Sequence, residues 1–174
     1  LDTAKYTVTY EQEQLDGTYA VTAVSTYSGT VGNTVMAPLN TYDGYTTPTA
    51  QALTILDDGT ATVIYKYPRR SYTVTITKNE GISSVTGAGT YKYGEPVALT
   101  ATVASGYTFY EWAGGEDSAE FTMPAEDIDM SATAVVYAGY HNVAFISNTG
   151  MGIESQSVIN NGTATEPVTP SRSG

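Results

Sequence analysis

Residues 6–10 read Tyr6-Thr7-Val8-Thr9-Tyr10, and residues 72–76 read Tyr72-Thr73-Val74-Thr75-Ile76. In both runs the large apolar side chains take every second position and threonines take the positions between. A strand points successive side chains to opposite faces, so Tyr6, Val8 and Tyr10 share one face and the threonines the other. That is the pattern of a half-buried strand, and its recurrence marks an internal repeat.

The same alternation extends outward from each run. Thr18 to Tyr27 continues it, and Asp16-Gly17 between the two stretches predicts a hairpin turn. Ala52–Leu56 and Ala61–Tyr67 flank Asp57-Asp58-Gly59-Thr60, which predicts a second hairpin. Pro68-Arg69-Arg70 ends the strand, because proline has no N–H for a ladder. Beyond that boundary, residues 96–103 predict one strand with Val97, Leu99, Ala101 and Val103 on a common face, and Ser131–Tyr137 predicts another. Ala138-Gly139-Tyr140 is the next link, and His141-Asn142-Val143-Ala144-Phe145 opens the pattern a third time.

The landmarks keep their order. Gly32-Asn33, Gly94-Glu95 and Asn161-Gly162 are the turns of the three units, and Gly44-Tyr45-Thr46 and Gly106-Tyr107-Thr108 follow in the first two. The period is roughly 65 to 70 residues, longer than the ~20–50 of solenoid repeats, so each unit can hold its own small core. The division expected is 1–68, 69–138 and a partial third unit at 139–174. Separate cores on a short link imply modules that unfold largely independently. The third unit ends before its Gly-Tyr step, so its order would be borrowed from the second unit, through Val143 and Phe145, or from a neighbouring molecule.

Three families resemble these units. Tyr107-Thr108-Phe109-Tyr110-Glu111-Trp112, followed by Phe121-Thr122-Met123-Pro124-Ala125-Glu126-Asp127-Ile128, resembles the divergent InlB B-repeat domain of bacterial surface proteins. Residues 141–170 resemble the front half of a Listeria–Bacteroides repeat, through His141–Phe145, Ser147-Asn148-Thr149-Gly150 and Gly162-Thr163-Ala164-Thr165-Glu166-Pro167. Residues 4–68 resemble a mucin-binding-protein (MucBP-like) repeat at Tyr6–Tyr10, Gly29-Thr30-Val31-Gly32, Tyr42-Asp43-Gly44-Tyr45 and Val63–Tyr67. These resemblances imply a mainly β chain (α+β at most) of tandem small β-grasp-like modules, strung as beads. They imply stalk, adhesion or host-contact roles on secreted or wall-attached proteins, mostly of Gram-positive bacteria, with no catalytic residues.

Composition agrees with the β reading. Among 174 residues there are 15 Tyr, 3 Phe, 1 Trp and 17 Gly, and no cysteine. Tyrosine, threonine and valine favour strands, and glycine favours turns. A formal net charge of -11 repels nucleic acid and anionic lipid. Without cysteine there are no disulfides, thiolate metal sites or thiol nucleophiles. No apolar run reaches membrane-spanning length. The chain opens on Leu1, which suggests that an upstream segment or signal peptide has been removed and that any anchor lies elsewhere.

Little chemistry is visible. His141 is the single histidine, and no Gly-x-Ser-x-Gly elbow accompanies it. Carboxylates gather at Asp57-Asp58, at Glu116-Asp117 with Glu120, and at Glu126-Asp127 with Asp129, without EF-hand spacing. Tyr107, Tyr110 and Trp112, with Phe109, could stack on sugar rings or form the second core. Lys5, Lys66, Lys78 and Lys92 read as solvated strand lysines, and Asp2, Arg69, Arg70 and Arg172 as linker and rim charges. No catalytic residue, cofactor or metal ligand is assigned. The expected partners are neighbouring repeats of the chain and host glycan or protein, with no nucleic acid and no membrane insertion. The function expected is a non-catalytic stalk or adhesion region at the cell surface or wall. The alternative is a module that binds host mucin or other glycans, with Tyr107, Tyr110 and Trp112 as candidate contacts.

Overall fold

The computed structural model describes residues 2–116, 118–136, 139–143, 156–159 and 162–165. They are all β, with no helix among them. The first unit holds β1 (Thr3–Glu13), β2 (Tyr19–Thr30), β3 (Thr34–Met36), β4 (Ala52–Thr54) and β5 (Thr62–Tyr67). The sheet order is β2-β1-β5, with β3 and β4 as a separate pair. β1 pairs antiparallel with β2 through the Asp16-Gly17 turn, and parallel with β5, Val8 opposite Val63. This first-to-last parallel pair is the centre of a β-grasp-like module.

The second unit repeats the plan. It holds β6 (Ser71–Lys78), β7 (Ile82–Thr86), β8 (Gly89–Lys92), β9 (Pro96–Ala98), β10 (Thr100–Val103), β11 (Tyr107–Gly114), β12 (Glu120–Thr122) and β13 (Ile128–Val136). β6 lies parallel to β13, Val74 opposite Ile128, in a sheet of order β11-β13-β6-β8. The smaller pair recurs too: Val35 opposes Leu53 on β3 and β4, and Val97 opposes Phe121 on β9 and β12. Even the turns match. Gly32 N–H donates to Ile55 O while Ile55 N–H donates to Asn33 O, and Gly94, Met123 and Glu95 form the same reciprocal pair. Ile55 and Met123, fixed by these bonds, are both fully buried.

The first core explains the tyrosine content. Tyr10, Tyr65 and Tyr67 are wholly buried beside Tyr6, Val8, Ala37 and Ile55. A phenol can bury its ring only if its hydroxyl keeps a partner. Tyr10 donates to Pro38 O, Tyr65 to Ala37 O and Tyr67 to Asn40 O, at 3.1, 2.9 and 3.0 Å. Tyr67 and Tyr65 also accept from the N–H of Asn40 and Gln51. The tyrosines therefore anchor the segment between β3 and β4, which makes few ladder bonds of its own. The second unit has two clusters, Val74, Val97, Leu99, Met123, Ile128 and Met130 in one, and Ile82, Ala132 and Ala134 in the other; Trp112 packs against both.

Two expectations need correction. The Asp57–Thr60 segment turns, with Asp58 accepting from Thr60 N–H, but it does not close a hairpin. β4 pairs with β3, and β5 with β1. An Asp-Gly turn reverses the chain locally without choosing the partner, and the buried face of Val63, Tyr65 and Tyr67 is completed by β1. Residues 96–103 are two strands, because Leu99 leaves the ladder: β9 pairs with β12 and β10 with β7. Side-chain alternation runs through Leu99 although the backbone changes sheet. In the third segment, β14 (Tyr140–Val143) pairs antiparallel with β15 (Gln156–Ile159). Phe145, Ser147-Asn148-Thr149-Gly150, Asn161, Glu166-Pro167 and Arg172 lie outside the described residues, as do Asp117, Tyr137 and Ala138.

Candidate functional site

β11 carries the aromatic residues singled out by sequence. Phe109 and Trp112 are three apart, which would set them on opposite faces of a regular strand. A β-bulge at Tyr110 corrects this: Phe109 opposes Ala134 and Trp112 opposes Ala132, which share the buried face of β13. The Phe109 and Trp112 rings lie 6.0 Å apart at 53°. Tyr107 and Trp112 pack against the Ile82 cluster, and Tyr110, the bulged residue, is 63% exposed. The three candidate contacts thus do not present a common ring face. The Phe-x-x-Trp spacing was the signal for the bulge.

Several of the carboxylates hold turns and strands together. Asp16 and Asp58 accept from Thr18 and Thr60 at their turns, and these bonds hold both acids below the usual carboxylate range. Asp127 accepts from Thr73 N–H and Asp129 from the Thr75 hydroxyl, tying β13 to β6. Among the described residues no three His, Asp or Glu side chains are placed to hold a metal ion. His141 is exposed on β14, opposite Val158. Lys66 lies over the Tyr19 ring at 5.1 Å, and Lys78 donates to Ile82 O at 2.8 Å.

A polar cluster lies where the first two units meet. Arg69, expected to be a rim charge, is buried at 7% exposure. Its N–H donates to Glu13 Oε2 at 2.8 Å, its Nη1 to Tyr93 O at 2.9 Å, and its Nη2 lies 3.7 Å from Glu95 Oε1. Lys92 reaches back to Glu13 Oε1 at 2.6 Å. Glu13 therefore joins the end of β1, the link and the second unit, and the Lys92 bond in particular lowers its pKa from 4.5. The link itself is laced on both sides. Arg70 N–H donates to Gly44 O and Thr46 N–H to Pro68 O, while Tyr93 N–H donates to Arg70 O. The Tyr93 ring lies against Gly44 and edge-on to Tyr45, centroids 5.6 Å apart. Sequence reasoning missed this junction because its partners are remote along the chain.

Beside the junction a cleft of about 410 Å³ opens between the units, lined by residues 41–45 and Thr47 from the first and by Arg70, Tyr72 and Ala125 from the second.

Comparison with curated proteins finds no match. Among solved structures, the TIE protein of Bacillus anthracis is similar with a TM-score of 0.47 at 11% identity, over 93% of this chain and 42% of that one. The chain thus spans less than half of that protein's length. Two variants of the shaft pilin SpaA from Lactobacillus rhamnosus GG give TM-scores of 0.24 and 0.26 at 11% and 12% identity, over 77% and 78% of this chain and 100% of theirs. Residues 72–135, from the opening strand of the second unit almost to the end of β13, match the family described as the divergent InlB B-repeat domain.

Proposed function

We propose that this chain is a non-catalytic run of β modules from a secreted or wall-attached bacterial surface protein, serving as a stiff spacer. The observation that carries this reading is the junction: Glu13 binds the link and Lys92 at once, and the Pro68–Arg70 link is hydrogen-bonded on both sides. A spacer must transmit direction, and a laced link does so where a free tether does not. The divergent InlB B-repeat match at residues 72–135 supports a surface setting.

The test is made on cells that produce the parent protein. Antibodies against the chain label intact, unpermeabilised cells, and exchanging residues 1–174 for an unrelated rigid spacer of equal length leaves the parent's attachment activity in place. Labelling only after lysis removes the surface reading. Loss of attachment in the exchange means that the chain contacts a ligand itself.

A further inference from the structure

We propose that the open edge of β2 pairs antiparallel with β2 of a second copy of this chain, joining two first units into one sheet. β2 is the outer strand of the order β2-β1-β5, and no described strand pairs with its far edge. An open edge invites another strand, and folded proteins guard it with charges, prolines, bulges or short strands. The other edges of the two main sheets are guarded in this way. β11 is bulged at Tyr110, β8 is only Gly89–Lys92, and on β5 the Ile64 carbonyl accepts from Gln51 Nε2 at 3.5 Å. β2 runs from Tyr19 to Thr30 without proline, and no residue between Asp16 and Asp43 is charged. It bulges at Thr22, then keeps an unshifted register with β1 from Ala23 to Thr30.

The hydrogen-bond phase of that stretch fixes how a partner fits. Val31 N–H donates to Asp2 O, so the bonded pairs with β1 recur at every second residue, at Gly29, Tyr27, Ser25 and Ala23. The N–H and C=O groups of Val24, Thr26 and Ser28 therefore point away from β1, and all three residues are exposed. Two such strands set antiparallel about Thr26 place Thr26 against Thr26 of the copy, and Val24 against its Ser28. Each of the three then exchanges both backbone bonds, and the threonine hydroxyls meet across the axis. The same patch serves both partners, so the contact closes as a two-fold dimer. Charge selects the occupant. A net charge of -11 repels a second copy over most of the surface, and the uncharged strand is where two copies can meet. β1 runs from Thr3 to Glu13 at the junction and β2 runs back, so antiparallel pairing sends the two second units in opposite directions. That geometry suits chains from two facing cells, and this consequence alone rests on the surface setting proposed above.

The experiment follows the mass of the whole chain by analytical ultracentrifugation from micromolar to millimolar concentration. The expected result is a rise from 18.4 kDa towards twice that value. Thr26→Pro should abolish the rise, since it removes an outward N–H and leaves the bonds to β1 in place. Thr26→Lys, which sets like charges face to face, should do the same while keeping the N–H. A melting temperature equal to that of the dilute parent shows that a variant folds. The register is read with cysteine, which the chain lacks. Oxidised Thr26→Cys should form a disulfide dimer, because bonded antiparallel pairs hold their Cα atoms about 5.5 Å apart, within disulfide reach. Ser28→Cys, which lies against Val24 of the copy, should not. A monomer at every concentration, a dimer that survives both Thr26→Pro and Thr26→Lys, or a disulfide formed as readily by Ser28→Cys would each overturn the proposal. Labelling of intact cells is a separate readout, so failure of the pairing and failure of the surface setting are told apart.

Discussion

Glu13 accepts the backbone N–H of Arg69 at 2.8 Å, and at the same point of the second unit Asn79 accepts that of Ala134 at 3.2 Å. In each unit a residue at the end of the first strand, Glu13 closing β1 and Asn79 just after β6, holds the chain as it leaves the parallel pair. The amide of Asn79 also donates to Ala134 O, closing the contact within its own unit. The carboxylate of Glu13 cannot donate, and its second oxygen takes Lys92 from the following unit instead. One change of side chain turns an internal clasp into a bond between modules.

Glu13→Ala should destabilise the chain by about 1–3 kcal/mol, since it leaves the buried Arg69 N–H without its acceptor. The Lys92 side chain is 42% exposed and regains water, which keeps the loss below the ~3–5 kcal/mol of a fully buried pair. Glu13→Gln retains an acceptor and should lose less. Urea unfolding of the three proteins measures the order, and an Ala variant as stable as the parent contradicts the role given to Glu13.

The junction should weaken in acid. The pKa of Glu13 is lowered in the folded state, so its stabilisation is present above the unfolded value and is lost as pH falls through the folded one. Stability attributable to Glu13 is thus constant near neutrality and declines below its ordinary pKa of 4.5. Asp16 and Asp58 contribute in the same direction, so the parent alone cannot isolate it. Melting temperatures of parent and Glu13→Gln across this range should converge as pH falls. A constant gap between the two would exclude the linkage.

Gly44→Ala should cost about 2–4 kcal/mol. The residue has φ +79, and an added Cβ would stand 2.3 Å from Tyr93 Cγ, the root of the ring rather than its movable tip. Gly32 has φ +82 with open space around it, so Gly32→Ala carries the backbone cost alone, about 1 kcal/mol. Chemical denaturation of the two variants separates the terms, and Tyr93→Ala should recover part of the Gly44→Ala loss. Equal costs at Gly44 and Gly32 would mean that Tyr93 does not rest on Gly44.

Trp112→Ala should destabilise the second unit by about 2–4 kcal/mol, below the upper end for a fully buried ring because Trp112 is only half-buried. Tyr110→Ala should stay within ~0.5 kcal/mol. Acrylamide should quench the Trp112 fluorescence less in the folded chain than in urea. Full quenching in the folded chain would place Trp112 on the surface.

How far the sequence could be read follows from the range of each signal. The strands at Tyr6–Tyr10 and Tyr72–Ile76 declare themselves, because alternation is local. The β1–β5 and β6–β13 pairs leave no local trace, since the partners are more than fifty residues apart. The Asp57–Thr60 turn was legible as a turn, but which strands it separates was not. Tyr10, Tyr65 and Tyr67 read as strand residues whose exposure was open; their burial depends on Pro38, Ala37 and Asn40, carbonyls outside any pattern. Arg69 read as a rim charge because its carboxylate, Glu13, stands at the far end of the unit.

The central claim, that the first two units form one stiff body through Glu13, Arg69 and Lys92, is tested most directly by residual dipolar couplings. Amide couplings are collected on the whole chain in a weakly aligning medium and fitted separately for residues 3–67 and 71–136. The account predicts one common alignment tensor for both units, which splits in Glu13→Ala. Two tensors of different magnitude in the unaltered chain would contradict it, because the units would then be moving independently.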